Sequence, residues 1–352
     1  MKSICYVSET GRIDRPILDP SVRYRCFHPG EVLGKMGHTV AIYSAARFYD
    51  APCLDYDAYV FHRPNVARKR FSQTIGKLKF LGKTLIADYD DLIFGGEELA
   101  LVSSAVKNGT LSESAAITAF GSNLEALGFF DIVSTSTKAL AEKALELNPS
   151  AHVNVLHNFI PPSVLEVHDS LGTSSTSRSE FRLGYFSGTK SHNSDFPIVS
   201  DVLHKILSEN RKSSLLIVGP VDLPPGISSL PNVTTLPTVD YWRLPSLMKQ
   251  CSIVIAPLEE TSFNSCKSRV KYLESALAGC RLVASPIPDM SEIGSDFMDF
   301  ALSKNDWYNF LSRRSSKEEL VTSAGANKLN LASLTAIAKK DLEAFYENTV
   351  LC

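Results

Sequence analysis

The feature that most constrains this chain is the repeated alternation of short apolar runs with stretches of helical periodicity. The runs are rich in Ile, Val and Leu, and each ends in a polar or glycine-containing turn before a helix-like segment begins. Such runs are typical of parallel strands buried on both faces, and the segments between them are typical of crossover helices. The pattern therefore predicts an α/β fold with parallel sheets.

The runs form two series. In the first, strands are predicted at residues 3–8, 39–44, 58–62, 84–87, 132–136 and 153–156, and a helix at 23–36, closed by Gly37, joins the first two as a βαβ unit. In the second, strands are predicted at 182–186, 215–218, 233–236, 253–256 and 282–285, with helices at 196–208, 244–249 and 268–278.

The two series are separated by residues 169–180 (DSLGTSSTSRSE), which are rich in Ser and Thr, as flexible connections are. A chain of 352 residues, 44% of them hydrophobic, is long enough for two cores. We therefore expect two Rossmann-like, doubly wound domains, residues 1–168 and 181–330, that face each other across a cleft. The final segment, 331–352, is predicted to contain an amphipathic helix that packs on either domain or crosses back to the first.

Charge and cysteine content restrict the possible functions. The formal net charge is −2, so an anionic ligand must be held by local groups rather than by the field of the whole protein. The seven cysteines show no Cys-x-x-Cys spacing and are interpreted as reduced thiols of a cytoplasmic protein. No signal-peptide core and no membrane-spanning run is recognisable, so we expect at most a peripheral membrane contact. Nucleic acid is not expected as a partner.

The segment after the predicted strand at 253–256 is the richest in polar side chains. At 100° per residue, Lys267, Lys271 and Glu274 fall on one stripe of the predicted helix. Two lysines one turn apart repel each other, and an anion between them would relieve that repulsion. The helix N-terminus would add N–H groups that suit a diphosphate, and Glu274 could accept hydrogen bonds from ribose hydroxyls. The alternative is a solvated face on which Glu274 only pairs with Lys271.

The stretch FNSCKSRVKYLESALAGCRLVAS resembles the nucleotide-sugar-binding segment of GT-B glycosyltransferases. The resemblance is to retaining families with a Glu-x7-Glu motif, the family 4-like or "group 1" transferases of bacterial polysaccharide and lipopolysaccharide synthesis. It implies a ribose-binding role for Glu274 and donor contacts for Asn264, Lys267 and Lys271. The first glutamate of the motif would fall at Cys266, where this chain departs from it.

A second stretch, RLGYFSGTKSHNSDF at residues 182–196, leads from a predicted strand into Ser-Gly-Thr. Glycine there allows the backbone to approach a ligand closely, although a glycine after a strand is more often only a turn. In the resembling family, this loop lies against the phosphates and the donor sugar. The resemblance therefore implies backbone contacts from Gly188 and Thr189, and polar contacts from Lys190 or His192.

Three carboxylates, those of Asp88, Asp90 and Asp91, follow the fourth predicted strand. An inverting transferase would need a base, and Asp88, Asp90 or Glu9 could supply it. In a retaining enzyme, the resemblance implies that the donor diphosphate assists the incoming hydroxyl while Lys267 stabilises the departing charge. Asp-x-Asp is also the metal signature of GT-A transferases, which lack two matched α/β domains. We therefore expect no metal and no cofactor; the aspartates could equally form turns and caps.

The acceptor side is predicted from polar residues that follow the first strands. The candidates are Glu9, Gly11, Arg25, Arg63 and Asp91.

The sequence thus predicts a glycosyltransferase that moves a sugar from a nucleotide-diphosphate sugar to a glycan or lipid-linked acceptor. Two alternatives remain: a nucleotide-sugar epimerase of the same fold, and a non-catalytic relative that binds a nucleotide or glycan. A dinucleotide oxidoreductase is excluded because no Gly-x-Gly-x-x-Gly turn follows the first strand.

Overall fold

The strands of the protein form two six-stranded sheets in which all neighbouring strands are parallel. The computed structural model describes residues 1–170, 181–188, 194–294, 296–313 and 317–350. The first sheet contains β1 (Ser3–Ser8), β2 (Thr39–Ser44), β3 (Ala58–His62), β4 (Thr84–Tyr89), β5 (Ile132–Thr135) and β6 (His152–Val155), in the order β2-β1-β3-β4-β5-β6. The second contains β7 (Phe181–Phe186), β8 (Ser213–Val218), β9 (Val233–Leu236), β10 (Ile253–Ala256), β11 (Arg281–Ala284) and β12 (Met298–Phe300), in the order β12-β11-β10-β7-β8-β9.

Helices connect these strands. Around the first sheet lie α1 (Pro20–Val22), α2 (His28–Lys35), α3 (Ala45–Asp50), α4 (Phe71–Phe80), α5 (Glu97–Leu101), α6 (Ser104–Lys107), α7 (Glu113–Leu127), α8 (Lys138–Leu147) and α9 (Pro162–Ser170). Around the second lie α10 (Pro197–Glu209), α11 (Pro225–Ser228), α12 (Leu244–Met248), α13 (Ser262–Ser265), α14 (Val270–Leu277), α15 (Pro288–Ser291) and α16 (Lys304–Ser312), and α17 (Lys317–Thr349) follows. Single turns of 3-10 helix occupy Pro16–Leu18 and Tyr241–Arg243.

The predicted strands are confirmed to within two residues, because buried parallel strands need continuous apolar runs. β3 and β10, for example, are buried along their whole length. The sequence did not reveal β12, a three-residue edge strand that is too short to give a recognisable run.

Three predicted helices differ from the structure, and the C-terminal one, predicted within residues 331–352, begins at Lys317 as α17. The helix predicted at 23–36 begins at Pro20, where the Asp19 side chain accepts a hydrogen bond from the Ser21 N–H as an N-cap. It also contains a π-helical turn, Arg23–Phe27, which changes the direction of the side chains it carries. The helix predicted at 268–278 is shorter, and α13 precedes it as a separate turn.

The long C-terminal helix α17 contacts both halves of the molecule. Towards its start, the Asn327 amide donates to the Cys280 carbonyl of the second half. Towards its end, Phe345 and Tyr346 pack with Tyr6 of β1, and the two tyrosine hydroxyls lie 2.7 Å apart. Within the described residues, no helix combines the length and apolarity needed to cross a bilayer. The domain boundaries at 168, 181 and 330 stay predictions, and the predicted linker falls largely outside the described residues.

Candidate functional site

The carboxyl ends of the two sheets border one cavity of about 650 Å³. The first half lines it mainly with polar side chains: Arg12, Ser21, Arg23, Arg63, Asp90 and Asp91. The second half contributes Gly188, Tyr241, Lys267, Lys271 and Glu274, together with apolar side chains. Ligands of open parallel sheets bind beyond the carboxyl ends of the strands. The cavity is therefore the candidate site, and a ligand in it would contact both halves.

Lys271 and Glu274, both on α14, form an ion pair at the wall of this cavity. The Lys271 Nζ lies 3.1 Å from the Glu274 Oε2 and also donates to the Phe186 carbonyl at 3.2 Å. The ion pair between Lys271 and Glu274, which the sequence left open as an alternative, is thus present. Both residues line the cavity, so the pair does not belong to a simple solvated surface. Because Lys271 occupies only one carboxylate oxygen, the Glu274 Oε1 remains an acceptor for a ligand.

Lys267 lies in the segment between α13 and α14, not on the helix where the sequence had predicted it. It lines the cavity, and its ammonium group has no hydrogen-bond or ion-pair partner among the residues that the structure describes. The expected anion site at the helix N-terminus is partly occupied. The Arg269 N–H donates to the Asp289 Oδ2 at 2.7 Å, and the Arg269 guanidinium binds the same carboxylate.

Two glycines shape the wall next to β7 and β8. Gly188 lines the cavity, and an added Cβ there would meet no atom of the described residues within 4 Å. Gly219 adopts φ +98°, and an added Cβ would lie 1.8 Å from the Ser187 carbonyl oxygen. The close approach of these two strand ends therefore requires glycine at 219. The predicted donor residues Thr189, Lys190 and His192 lie outside the described residues.

On the opposite wall, Asp90 is held by three side chains. Its Oδ1 accepts from the Arg63 Nε at 2.6 Å and from the His62 Nε2 at 3.1 Å, and its Oδ2 accepts from the Ser21 hydroxyl. Burial alone would raise the pKa of Asp90, but Arg63 and His62 lower it well below its usual range. Asp90 is therefore ionised and a weak base. Arg63 itself adopts φ +56°, a conformation that is unusual for a side chain of this size.

Asp88 and Arg25 were predicted as catalytic and acceptor residues, but the described cavity lining includes neither of them. Arg25 binds both Asp88 oxygens, at 2.5 and 3.0 Å, and the Ser134 hydroxyl donates to the same carboxylate at 2.6 Å. Arg25 also donates to Asn158, whose amide donates to the Ser268 hydroxyl at 2.9 Å. The pair is buried and connects the first sheet to the crossing between the halves. The structure therefore assigns it to support rather than to substrate contact.

Three other predicted site residues also lie away from the cavity lining. Asn264 donates to the Glu259 carbonyl at 2.9 Å and borders a smaller pocket. Glu9 forms a bidentate pair with Arg68, and Gly11 is exposed.

Asp91, by contrast, lines the cavity, and its Oδ1 accepts a hydrogen bond from the Leu92 N–H.

Arg23 and Tyr241 also line the cavity. Arg23 is 6% exposed, and its guanidinium lies 4.0 Å from the centroid of the Tyr241 ring. Burial lowers the pKa of Arg23, although nearby Glu274 opposes this effect. Arg23 lies two positions before Arg25, so the two side chains leave the helix in different directions, and only Arg23 is in the described cavity lining. The sequence contains no recognisable signal for the π-helical turn that carries both arginines.

The described residues contain one group with the ligand types of a metal site: His157, Asp289 and Glu292, whose ligand atoms lie within 4.8 Å of one another. Cations of the protein already occupy both carboxylates. Arg269 binds Asp289, and the Lys138 Nζ lies 2.9 Å from the Glu292 carboxylate. The group is therefore a set of ion pairs that joins the two halves, since Lys138 belongs to α8 and Glu292 follows α15.

No protein-family model matches the sequence, and no curated protein matches it either. Solved structures are similar over almost the entire chain. HepE from Anabaena, solved with UDP and glucose, is 14% identical, with a TM-score of 0.56 and 99% of each chain covered. OtsA without ligand is 9% identical, with a TM-score of 0.64 and 99% of each chain covered. An alpha-glucosyltransferase in complex with UDP and a 13-mer DNA containing an HMU base is 15% identical, with a TM-score of 0.61 and 97% and 99% covered.

These similarities, together with the two parallel sheets that face one cavity, show that the chain has the GT-B fold. The predicted fold class is therefore confirmed.

Proposed function

We propose that this chain is a glycosyltransferase that transfers a sugar from a nucleotide-diphosphate sugar to an acceptor hydroxyl. The observation that carries the proposal is the position of Lys267, Lys271 and Glu274. All three line one cavity at the carboxyl edge of the second sheet, opposite the polar wall of the first. The Lys267 ammonium group has no partner among the described residues, and Glu274 has one carboxylate oxygen available; a nucleoside diphosphate needs such a cation for its phosphates and such an acceptor for its ribose.

In the proposed donor complex, the Glu274 carboxylate accepts hydrogen bonds from the ribose, and Lys267 lies against the diphosphate. As the sugar departs, negative charge accumulates on the diphosphate, and a fixed ammonium group stabilises it more in the transition state than in the ground state. Lys271, already paired with Glu274 and the Phe186 carbonyl, orients the carboxylate. Gly188 leaves space for the backbone to approach the donor.

The polar wall of the first half supports a retaining rather than an inverting reaction. An inverting enzyme needs a base on the acceptor side. Of the bases predicted from the sequence, Asp88, Asp90 and Glu9, only Asp90 is in the described cavity lining, but it accepts hydrogen bonds from three side chains, and its pKa is lowered by Arg63 and His62. In our proposal, the donor diphosphate takes the acceptor proton, while Arg63 and Asp91 orient the acceptor.

We propose a glycan or lipid-linked acceptor and a role in bacterial surface polysaccharide or lipopolysaccharide synthesis, on the resemblance of the segment around Glu274. The protein would act in the cytoplasm without a metal or a cofactor. Both aspartates of the Asp-x-Asp sequence support metal independence, because Arg25 binds Asp88 and Arg63 binds Asp90.

A peripheral contact with the membrane is proposed at the end of α4. Phe80 is 89% exposed and Leu81 is 46% exposed, which is unusual for large apolar side chains on a protein surface. Lys77, Lys79 and Lys83 lie beside them in sequence, and Lys79 is also 3.7 Å from Asp131. An apolar tip among cations suits the surface of a bilayer that contains anionic lipid.

The proposal is tested first by thermal shift with UDP, GDP, dTDP, CMP and their common sugar conjugates. A ligand that binds only the native state raises the midpoint of unfolding, by an amount that follows its affinity. A shift with one nucleoside diphosphate would identify the donor class for transfer assays. No shift with any of them would contradict the proposal.

The non-catalytic alternative is favoured by one observation, the residue at the first glutamate of the motif. Cys266 is 2% exposed, and burial raises its pKa to about 11, so it does not replace a carboxylate. Donor binding without transfer or hydrolysis would support this alternative. Conversion of the donor sugar without an acceptor would instead indicate an epimerase.

A further inference from the structure

Tyr241 is the point at which the first half of the molecule contacts the candidate donor side of the cavity. It follows β9 and lines the cavity together with Glu274. Three side chains of the first half pack against its ring. The Arg23 guanidinium lies 4.0 Å from the ring centroid, and the rings of Tyr24 and His28 lie 6.4 and 6.3 Å away, centroid to centroid. The orientation of this ring is therefore set from across the cavity.

The hydroxyl of Tyr241 is buried and lacks a hydrogen-bond partner of acceptable geometry among the described residues. The Tyr24 hydroxyl is also buried without such a partner. The hydroxyls of Tyr24 and Tyr241 lie near each other, but they do not form a well-aligned hydrogen bond. Leaving a buried hydroxyl unpaired costs stability, and such groups in native proteins commonly await a ligand or a water. Of the two tyrosines, only Tyr241 is part of the cavity lining that the structure describes.

The Tyr241 hydroxyl is close enough to the Glu274 carboxylate to be affected by its charge, and Lys271 binds only one oxygen of that carboxylate. Burial, followed by the nearby Glu274, raises the pKa of Tyr241 to about 12, so the hydroxyl keeps its proton at neutral pH. Glu274 offers Oε1 as an acceptor because Lys271 binds Oε2. A protonated hydroxyl can donate and accept, whereas a carboxylate only accepts. Together they match two neighbouring hydroxyl groups, each of which is both a donor and an acceptor.

We propose that Tyr241 is a ribose-specificity residue, with its hydroxyl and the Glu274 carboxylate together binding the 2′ and 3′ hydroxyls of a ribonucleoside diphosphate. This inference rests on the proposed function, since it assigns a further residue to the same donor site. Arg23 is a positioning residue, because it stacks on the Tyr241 ring and does not itself need to touch the ribose. The ring is held by the first half, so ribose recognition depends on both halves.

The test is calorimetric titration with UDP and with 2′-deoxy-UDP, or with GDP and 2′-deoxy-GDP if UDP does not bind. The wild type is expected to bind the ribonucleotide about tenfold more tightly, because the deoxy form leaves buried polar groups unpaired. Tyr241→Phe keeps the ring and its packing but removes the hydroxyl. We expect this variant to lose most of the ribose preference while its affinity for the deoxynucleotide stays unchanged.

Tyr24→Phe is the matched control, since it removes the other buried hydroxyl of the same contact, while Tyr24 is not part of the described cavity lining. It is expected to keep the full ribose preference. Both substitutions should change the melting temperature by a similar and small amount, because neither hydroxyl forms a well-aligned hydrogen bond with the described residues. Arg23→Leu should reduce the preference severalfold, and Arg23→Lys should restore part of it, since a lysine keeps the charge but not the planar stack.

The possible failures are distinguishable. If no ribonucleotide binds the wild type, both the proposed function and this inference are overturned. If the ribonucleotide binds but the wild type does not prefer it over the deoxy form, only the ribose site is overturned. If the preference exists and survives in Tyr241→Phe, or is lost equally in Tyr24→Phe, the role of Tyr241 is refuted.

Discussion

The Nζ of Lys271 lies 3.1 Å from the Oε2 of Glu274, one turn along α14, at the wall of the cavity. The carboxylate is thus oriented before a donor arrives, and its second oxygen is available. Because Lys271 also donates to the Phe186 carbonyl, the lysine keeps one partner when the carboxylate is removed. The pair can therefore be altered without leaving the half-buried Lys271 ammonium group isolated.

Glu274→Ala is expected to weaken binding of the donor nucleotide about tenfold, or about 1.4 kcal/mol, through the loss of hydrogen bonds to ribose. Titration of the folded variant, checked by circular dichroism, measures the effect. Glu292→Ala is the control, because Glu292 is paired with Lys138 outside the cavity lining. Unchanged affinity in a folded Glu274→Ala variant would remove the ribose assignment.

Lys267→Ala is expected to lower kcat by roughly 100-fold, more than Glu274→Ala does, because the charge it faces is largest in the transition state. The measurement is steady-state transfer with the donor identified by thermal shift, with kcat and KM determined separately. Lys138→Ala removes a lysine elsewhere and should leave kcat unchanged. Equal kcat for Lys267→Ala and the wild type would refute the assignment.

Transfer is expected to need no divalent metal, since Arg25 and Arg63 already neutralise Asp88 and Asp90. Activity should therefore persist after dialysis against a chelator. Complete loss of transfer that magnesium or manganese restores would contradict this expectation and revive a metal role for the two aspartates.

Asp90→Asn should destabilise the protein at pH 7 by about 3 kcal/mol, because it leaves Arg63 beside a neutral group. The pKa of Asp90 is lowered by folding, so its contribution is present above its unfolded pKa of about 3.9 and is lost as the pH falls towards the folded value. The difference in melting temperature between wild type and variant should hence shrink below about pH 4.

Scanning calorimetry from pH 3 to pH 7, within the range where unfolding is reversible, measures this difference. Asp14→Asn is the control, because Asp14 is exposed and contacts only Arg47 by an ion pair among the described residues. A difference between wild type and Asp90→Asn that does not change with pH would contradict the assignment.

Phe80→Ser is expected to lower binding to vesicles that contain anionic phosphatidylglycerol at least severalfold, because it removes the apolar tip from the proposed membrane contact. Cosedimentation at low and high salt measures the effect. Leu302→Ser removes another apolar side chain, 82% exposed, from the second half and should not change binding. Equal loss in both variants, or binding of the wild type that is no stronger to anionic than to neutral vesicles, would contradict the contact.

The sequence by itself determined the two series of parallel strands, because strands buried on both faces require apolar runs whatever their partners are. It also identified Lys267, Lys271 and Glu274 as cavity residues, since the carboxyl ends of parallel strands collect at one edge of a sheet. What it did not decide was which charged residues of the first half reach that cavity.

Only the tertiary structure separates Asp90 from Asp88 and Arg23 from Arg25. Asp88 and Asp90 are two positions apart, but β4 ends at Tyr89, so Asp90 leaves the sheet while Asp88 stays beneath it with Arg25. Arg23, which lies on the π-helical turn, similarly contacts Tyr241 of the other half. Local periodicity contains no information on such contacts, because they depend on residues more than 60 positions away that meet only when both halves are folded.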